Sequence, residues 1–260
     1  MSALDGPDPL LQQALTDLGR GRPLLVGLDF DGVLAPFVPH PSEAVALPGT
    51  MDAIRDLVAL EGVYVALVSG RARADLAERT GVALDDEHLL LVGSHGAELP
   101  LDGHDDGLDD AEHERLSAVQ ARLETLAAEH PGAFVEHKPS AAVLHTRRLP
   151  PDEAPVVTAQ ALALMADVPD VHVTRGKEVV EVAVTQASKG AAISRLRDHH
   201  SAVGALYVGD DVTDETVFVL LGEGDVGVKV GDGDTAARFR IADPVAVRSL
   251  LQSLPNLLLR

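Results

Sequence analysis

Leu24-Leu-Val-Gly-Leu-Asp-Phe-Asp-Gly-Val-Leu34 is the stretch that decides the fold. Its first five residues are apolar without polar alternation, which is typical of a strand buried on both faces of a parallel sheet. Asp29 and Asp31 follow at the end of that strand, and Gly32 comes next. Ligands of open α/β sheets bind just beyond the carboxyl ends of the strands, so these carboxylates could reach one ion or one phosphate. For this stretch alone, an Asp-rich turn with glycine at positive φ is the alternative.

The composition limits the class of protein. The chain has 260 residues, of which 46% are hydrophobic but only 3% aromatic, so one large or two small domains must build their core from Ala, Val and Leu. A net charge of −20 would repel nucleic acid and anionic membranes, and the apolar runs are too short to span a bilayer. The absence of cysteine rules out disulfides and thiolate metal sites. We therefore expect a cytoplasmic monomer that binds neither nucleic acid nor membrane.

Apolar strands alternate with helices at both ends of the chain. Strands are predicted at 24–29, 63–68 and 89–92, with helices at 7–20, 50–60 and 73–80. After residue 185 the pattern resumes with a helix at 189–199, a strand at 206–208, a helix ending at 221, edge strands at 225–228 and 239–241, and a helix at 244–253. This βαβ alternation predicts a doubly wound α/β fold with a parallel sheet.

The middle of the chain follows a different pattern. Helices are predicted at 111–130 and 152–166, and each precedes two strands, at 134–138 and 142–147 and then at 172–174 and 179–184. This order indicates an antiparallel sheet with helices on one face. We therefore predict a core of residues 1–100 and 185–260, with an inserted α+β domain of residues 101–184.

Candidate catalytic groups stand at four ends of strands or helices. In a parallel sheet these ends share one edge, and they carry Asp29 and Asp31, Ser69, Lys189, and Asp210 with Asp211 and Asp214. A carboxylate can attack phosphorus only when the negative charge of the phosphate is masked. Mg²⁺ on oxygen ligands, together with a fixed lysine charge, can do this. The pattern therefore favours phosphoryl transfer.

Each of these groups has a predicted role. Asp29 is the nucleophile, and Asp31 protonates the leaving oxygen and later deprotonates a water. Asp29, the backbone carbonyl of Asp31, and Asp210 are the predicted Mg²⁺ ligands. Ser69 and Lys189 are predicted to hold the phosphate oxygens. Asp214 is expected to hold Lys189 or a metal-bound water, whereas Asp211 could be only an acid favoured by the helix dipole.

These motifs resemble a known superfamily. Asp29-Phe-Asp-Gly-Val-Leu34, Ser69, Lys189 and Gly209-Asp-Asp-Val-Thr-Asp214 are similar, in order and position, to the four motifs of haloacid dehalogenase superfamily phosphatases. The resemblance covers roughly residues 20–98 and 185–255. It implies a Rossmann-like core, Mg²⁺ dependence and an aspartyl-phosphate intermediate. The insertion resembles the cap domain of the sugar-phosphate branch of that superfamily, which determines substrate specificity.

Narrower motifs resemble the trehalose-6-phosphate phosphatase family. They are Val68-Ser-Gly-Arg71, Gly93-Ser-His-Gly-Ala-Glu98, Glu136-His-Lys138 with His145-Thr-Arg147, Gly176-Lys-Glu-Val-Val-Glu181, and Gly209-Asp-Asp-Val-Thr-Asp-Glu215. The resemblance implies hydrolysis of trehalose 6-phosphate to trehalose and phosphate, in trehalose biosynthesis. It also implies that the sugar phosphate contacts Gly70, Arg71 and His95 in the core and Glu136, Lys138, Arg147, Lys177 and Glu181 in the cap.

Three alternative functions stay open. The chain could act on a sucrose, glucosylglycerate or mannosylglycerate phosphate, it could be a phosphomutase, or it could be a non-catalytic sugar-phosphate-binding protein on the same fold. A large polar cap suits a disaccharide better than a mutase reaction. The presence of Asp29, Asp31, Lys189 and Asp210 counts against a binding module, which needs no nucleophile.

Overall fold

The computed structural model describes residues 8–38, 40–99, 101, 108, 110–138, 140–176, 178–185 and 187–260. The chain divides into two compact units, Met1–Leu101 with Ser188–Arg260, and Asp102–Ala187. Within the described ranges, none of the helices combines the length and the apolar character that a bilayer crossing requires.

The described residues form ten strands and eight α-helices. The strands are β1 (Leu24–Asp29), β2 (Val63–Val68), β3 (Leu89–Val92), β4 (Phe134–Lys138), β5 (Ala141–His145), β6 (His172–Gly176), β7 (Val179–Ala183), β8 (Gly204–Gly209), β9 (Val226–Val230) and β10 (Phe239–Ile241). The helices are α1 (Pro9–Leu18), α2 (Thr50–Val58), α3 (Arg73–Thr80), α4 (Asp110–Glu129), α5 (Ala154–Met165), α6 (Lys189–His199), α7 (Glu215–Phe218) and α8 (Pro244–Leu258).

The larger unit contains a six-stranded parallel sheet in the order β10-β9-β8-β1-β2-β3. All six residues of β1 are buried, and β1 pairs with β2 on one side and β8 on the other. The chain order reverses between β1 and β8, which makes this the switch point where such sheets bind ligands. The predicted parallel core is confirmed, and its central strand is the one with the uninterrupted apolar run.

Alternate residues of β1 belong to opposite layers. Leu24, Val26 and Leu28 pack in the core that includes α1, α2, α3 and α8, whereas Leu25 packs in the core that includes α6 and α7. Helices on both faces therefore bury every position of the strand, and each leucine contributes roughly 1.5–3 kcal/mol by leaving water. This two-sided burial explains why the strand shows no polar alternation.

Three predicted features of this unit are wrong. Helix α7 ends at Phe218 rather than Leu221, because the chain tightens there: the N–H of Leu220 donates to the carbonyl of Val217, three residues back, at 2.9 Å. Strand β9 lies inside the sheet, because β10 pairs along its outer side. Helix α8 continues through Pro255 to Leu258, since burial of its last leucines outweighs the backbone hydrogen bond that proline cannot make.

The smaller unit has a four-stranded antiparallel sheet in the order β4-β5-β7-β6. One face of this sheet packs against α4 and α5 through buried residues that include Leu144, Val180 and Val182. Side chains alternate along a strand, so residues such as Glu136 and Glu181 lie on the other face. A parallel α/β core with a separate α+β unit is the fold class that the sequence predicts.

Candidate active site

The carboxyl edge of the parallel sheet carries the candidate catalytic groups. Asp29 is the last residue of β1, Ser69 follows β2, Asp210 follows β8, and Lys189 is the first residue of α6. These four line one cavity of about 380 Å³. The other residues that line it are Asp31, Phe37, Val38, Gly70, Arg71, His95, Asp211 and Thr213. The structure therefore brings together every core residue that the sequence singled out, except Asp214, which is fully buried and does not line the cavity.

Lys189 is a buried cation between two buried carboxylates. Its Nζ lies 2.9 Å from Oδ2 of Asp29 and 2.8 Å from Oδ1 of Asp214. Burial opposes the charge on Lys189, but attraction to these two carboxylates outweighs it and raises the lysine pKa. Burial raises the pKa of Asp29 well above its usual value, with Lys189 opposing the rise and Asp214 adding to it. The site therefore needs positive charge to keep Asp29 ionised.

Asp214 is fully buried, and both of its carboxylate oxygens are occupied. Oδ1 accepts hydrogen bonds from Nζ of Lys189 and from the hydroxyl of Tyr207 at 2.7 Å. Oδ2 accepts from the backbone N–H groups of Asp210 at 2.8 Å and Asp211 at 2.9 Å. Asp214 thus holds Lys189 in place and fixes the loop after β8.

Asp29, Asp210 and Asp214 form a carboxylate cluster that fits a divalent cation. One oxygen of each lies within 4.8 Å of the others. Oδ1 of Asp210 is buried without a hydrogen-bond partner, and burial raises the pKa of that carboxyl to about 6. A hard cation such as Mg²⁺ would satisfy this oxygen and offset the repulsion between the acids. Each oxygen of Asp214 already accepts from two donors, whereas each oxygen of Asp29 has one partner among the described residues, so Asp29 and Asp210 are the better ligands.

Gly32 allows the close approach of the β1 and β8 ends. Its φ is +79°, a conformation that side chains with a Cβ rarely adopt. A Cβ at this position would also overlap the carboxylate of Asp210. The N–H of Gly32 donates to the carbonyl of Ala35 at 2.8 Å, which closes the turn after Asp31. The glycine thus lets Asp31 and Asp210 share one cavity.

Asp31 is paired with Arg71 inside the cavity. The Nε of Arg71 lies 2.7 Å from Oδ2 of Asp31, and its Nη2 lies 2.7 Å from Oδ1. The Nη1 of the same guanidinium donates to Asp75 at 3.0 Å. Asp31, the predicted acid/base, and Arg71, a predicted substrate contact, therefore form a bidentate ion pair.

Ser69, Gly70 and His95 form the side of the cavity beyond β2. The hydroxyl oxygen of Ser69 accepts the N–H of Arg71 at 3.1 Å. The His95 ring lies against Gly70, where an added Cβ would stand 2.5 Å from the ring. Partial burial and the charge of Lys189 lower the pKa of His95. A neutral imidazole beside the predicted phosphate position suits a hydrogen bond better than an ion pair.

The outer face of the smaller unit's sheet is polar. Lys138 Nζ lies 3.0 Å from Glu181 Oε1, and His145 Nε2 lies 2.8 Å from Glu136 Oε2. The Arg147 guanidinium stands 5.3 Å from the ring centre of Phe134, at the start of β4. Four of the five predicted cap contacts thus belong to this unit's described residues. The fifth, Lys177, lies outside the described residues.

Sequence reasoning missed several residues that support the site. Tyr207 contacts Asp214, Lys229 donates to the backbone carbonyl of Asp210, and His145 contacts Glu136 and stacks on Phe134 at 4.5 Å. Lys229 did carry a signal, because a lone cation inside the apolar strand β9 must have a polar partner when it is buried. Tyr207 had no such local signal, and His145 stood in a quoted motif without being assigned a role.

The sequence profile of the trehalose-phosphatase family matches residues 27–244, which is most of the chain. The trehalose-phosphate phosphatase of Mycobacterium tuberculosis is 33% identical over 262 residues, which cover 95% of this chain and 65% of that protein. The bifunctional trehalose-6-phosphate synthase/phosphatase of Thermoproteus tenax is 33% identical over 245 residues, covering 92% of this chain and 33% of that protein. The chain therefore spans less than two thirds of the length of these curated relatives.

A solved structure of similar fold is that of Aspergillus fumigatus trehalose-6-phosphate phosphatase, crystal form 3. It superposes with a TM-score of 0.70 at 26% sequence identity. The match covers 97% of this chain and 99% of that chain. The likeness extends over both compact units, including the inserted antiparallel sheet.

Proposed function

Because this chain belongs to the trehalose-phosphatase family, we propose that it hydrolyses trehalose 6-phosphate to trehalose and phosphate. The observation that carries the proposal is the single cavity that holds Asp29, Lys189 and Asp210 at the carboxyl edge of the sheet. A non-catalytic sugar-phosphate-binding protein would have no use for a buried carboxylate paired with a buried lysine.

In the proposed reaction, an oxygen of Asp29 attacks phosphorus and the bond between phosphorus and the sugar oxygen breaks. Asp31 enters this step protonated, on a lone pair that the hydrogen bonds from Arg71 leave unused, and gives that proton to the sugar oxygen, so trehalose leaves as a neutral alcohol and Asp29 carries the phosphoryl group. Asp31 then takes a proton from a water that attacks the same phosphorus. The Asp29 carboxylate is released, and phosphate leaves.

The remaining groups of the cavity mask and orient the phosphate. Lys189 supplies a fixed positive charge 2.9 Å from Asp29, and the Ser69 hydroxyl can donate to a phosphate oxygen. Asp29, Asp210 and the backbone carbonyl of Asp31 would hold Mg²⁺, which supplies further positive charge against the phosphate and the acids. Gly70, Arg71 and His95 line the same cavity and are the proposed contacts to the phosphate ester.

For the smaller unit we propose a role as the cap that determines substrate specificity. Its polar face offers acceptors from Glu136 and Glu181 and donors from Lys138 and Arg147, which suit the hydroxyl groups of a disaccharide. Their side chains are available to solvent: Lys138 is 41% exposed and Glu136 51% exposed. Lys177, which lies between β6 and β7 in the sequence, is proposed as a further contact to the sugar.

The proposal is tested by phosphate release from a panel of sugar phosphates. Trehalose 6-phosphate, sucrose 6-phosphate, glucosylglycerate and mannosylglycerate phosphates and glucose 6-phosphate are compared with Mg²⁺ and with EDTA. We expect the highest kcat/KM for trehalose 6-phosphate and no turnover in EDTA. Preference for another sugar phosphate would correct the substrate, and Mg²⁺-independent turnover would contradict the proposed metal role.

A further inference from the structure

A series of ion pairs links the cavity to the loop that follows β1. Asp31 pairs with Arg71, Arg71 pairs with Asp75 at 3.0 Å, and Asp75 pairs with Arg79 at 2.9 Å. The Nη1 of Arg79 then donates to the backbone carbonyls of Ser42 and Ala44, each at 3.1 Å. The proposed acid/base is therefore tied, through three further side chains, to helix α3 and to the loop at residues 42–44.

The hydrogen bonds from Arg71 fix the orientation of the Asp31 carboxylate. Both of its oxygens accept from one planar guanidinium, which sets the plane of the carboxylate as well as its position. Arg71 is itself confined, because its side chain is only 11% exposed and its guanidinium stands 5.6 Å from the ring centre of Phe30. Asp75 and Arg79 are four residues apart on one helix, so they form a rigid anchor for Arg71.

Asp75 does not line the cavity and so has no direct contact with a substrate bound there. Among the described residues that line the cavity, Arg71 and Asp31 are present and Asp75 is not. An effect of Asp75 on the Asp31 carboxylate must therefore pass through Arg71. The carboxylate of Asp75 accepts hydrogen bonds from both Arg71 and Arg79. Its removal would leave Arg71 paired with Asp31 in the cavity but would break the link between Arg71 and helix α3.

We propose that Asp75 is a positioning residue, which acts through Arg71 to hold the Asp31 carboxylate beside the leaving oxygen. The inference rests on the proposed function, in which Asp31 transfers the proton. Displacement of a catalytic group by about 1 Å can lower a rate by about 100-fold, so an anchor outside the cavity can matter to the chemistry.

The choice of leaving group separates this role from a structural one. A sugar alkoxide leaves only with a proton, whereas p-nitrophenolate is a stable anion that leaves without one. The kcat/KM value reports the steps up to release of the alcohol, which include the proton transfer from Asp31. Loosening Asp31 should therefore lower kcat/KM for a sugar phosphate and spare p-nitrophenyl phosphate.

The test compares Asp75→Asn with wild type on both substrates, with Mg²⁺ present. We expect kcat/KM to fall by about tenfold or more for trehalose 6-phosphate and by less than about twofold for p-nitrophenyl phosphate, because positioned acid catalysis supplies about 100-fold or more. Glu78→Gln is the matched control, since Glu78 is exposed on the same helix and the charge change is the same. It should leave both values unchanged.

The ratio of the two kcat/KM values is independent of the folded fraction, because partial unfolding lowers both equally. Asp75→Ala gives a second measurement: it removes the acceptor of both Arg71 and Arg79 and should show the same selective loss. Equal losses on both substrates, or no loss in Asp75→Asn, would overturn the inference while the proposed function stands. Wild type that hydrolyses no sugar phosphate would instead overturn the proposed function, and this inference with it.

Discussion

Replacement of Asp210 by asparagine is expected to stabilise the metal-free protein at neutral pH. Burial raises the pKa of this carboxyl from 3.8 to about 6. Between about pH 4 and 6 the folded protein therefore holds a proton that the unfolded chain has released. The contribution of Asp210 to the free energy of unfolding should fall as the pH rises through that window, because the ionised carboxylate is costly where it lies.

The size of this cost follows from the two pKa values. Each unit of difference between the folded and unfolded pKa is worth about 1.4 kcal/mol, so about 3 kcal/mol is the upper limit of the cost above pH 6, and solvent screening of this partly buried carboxyl lowers it. Asparagine has the shape of the carboxyl but no charge at any pH. We therefore expect the free energy of unfolding of metal-free Asp210→Asn to exceed that of wild type by up to about 3 kcal/mol at about pH 7.5. At about pH 4 the two values should be equal.

The assay is urea denaturation in EDTA at both pH values, repeated with Mg²⁺. Mg²⁺ should stabilise wild type, since it binds only the folded site, and should have little effect on the variant. Asp232→Asn, an exposed position, controls for the general effect of removing one acid. A variant that is less stable than wild type at neutral pH, or that gains as much from Mg²⁺, would refute the assignment of Asp210 as a buried metal ligand.

Three further predictions concern other parts of the site. Gly32→Ala should cost about 2 kcal/mol of stability by denaturation and about 100-fold in phosphate release, because a Cβ strains the turn and displaces Asp210; near-normal activity would contradict the proposed geometry. Lys189→Met should destabilise the metal-free protein by up to about 3–5 kcal/mol where Asp29 is ionised, and less as the pH falls through the raised pKa of Asp29; a pH-independent loss would contradict the charge argument. Lys138→Ala should raise KM for trehalose 6-phosphate more than for p-nitrophenyl phosphate, and equal effects would count against the cap assignment.

The parallel core was predictable because its signals are local. The apolar run before Asp29 marks a two-sided buried strand without reference to any other part of the chain. The convergence of Asp29 and Asp210 then follows from one geometric rule, that parallel strands end at a common edge. Neither inference required knowledge of how side chains pack.

The details that escaped prediction depend on contacts between distant residues. Arg71 is 40 residues from Asp31 in the chain, and no local pattern shows that their side chains pair. The end of α8 was missed because Pro255 interrupts the helical pattern. The point where the helix ends is decided instead by leucines buried against other elements. Side-chain partners and helix ends of this kind are set by tertiary packing rather than by local sequence.

The most direct test of the proposed mechanism is chemical trapping of the phosphorylated residue. The enzyme is mixed with Mg²⁺ and trehalose 6-phosphate, quenched in acid during turnover and reduced with borohydride, which converts an aspartyl phosphate to homoserine. We predict that mass spectrometry finds homoserine at position 29. Reduction at Asp31 or Asp210 instead, or no reduction in a sample that is releasing phosphate, would contradict the role of Asp29 as nucleophile.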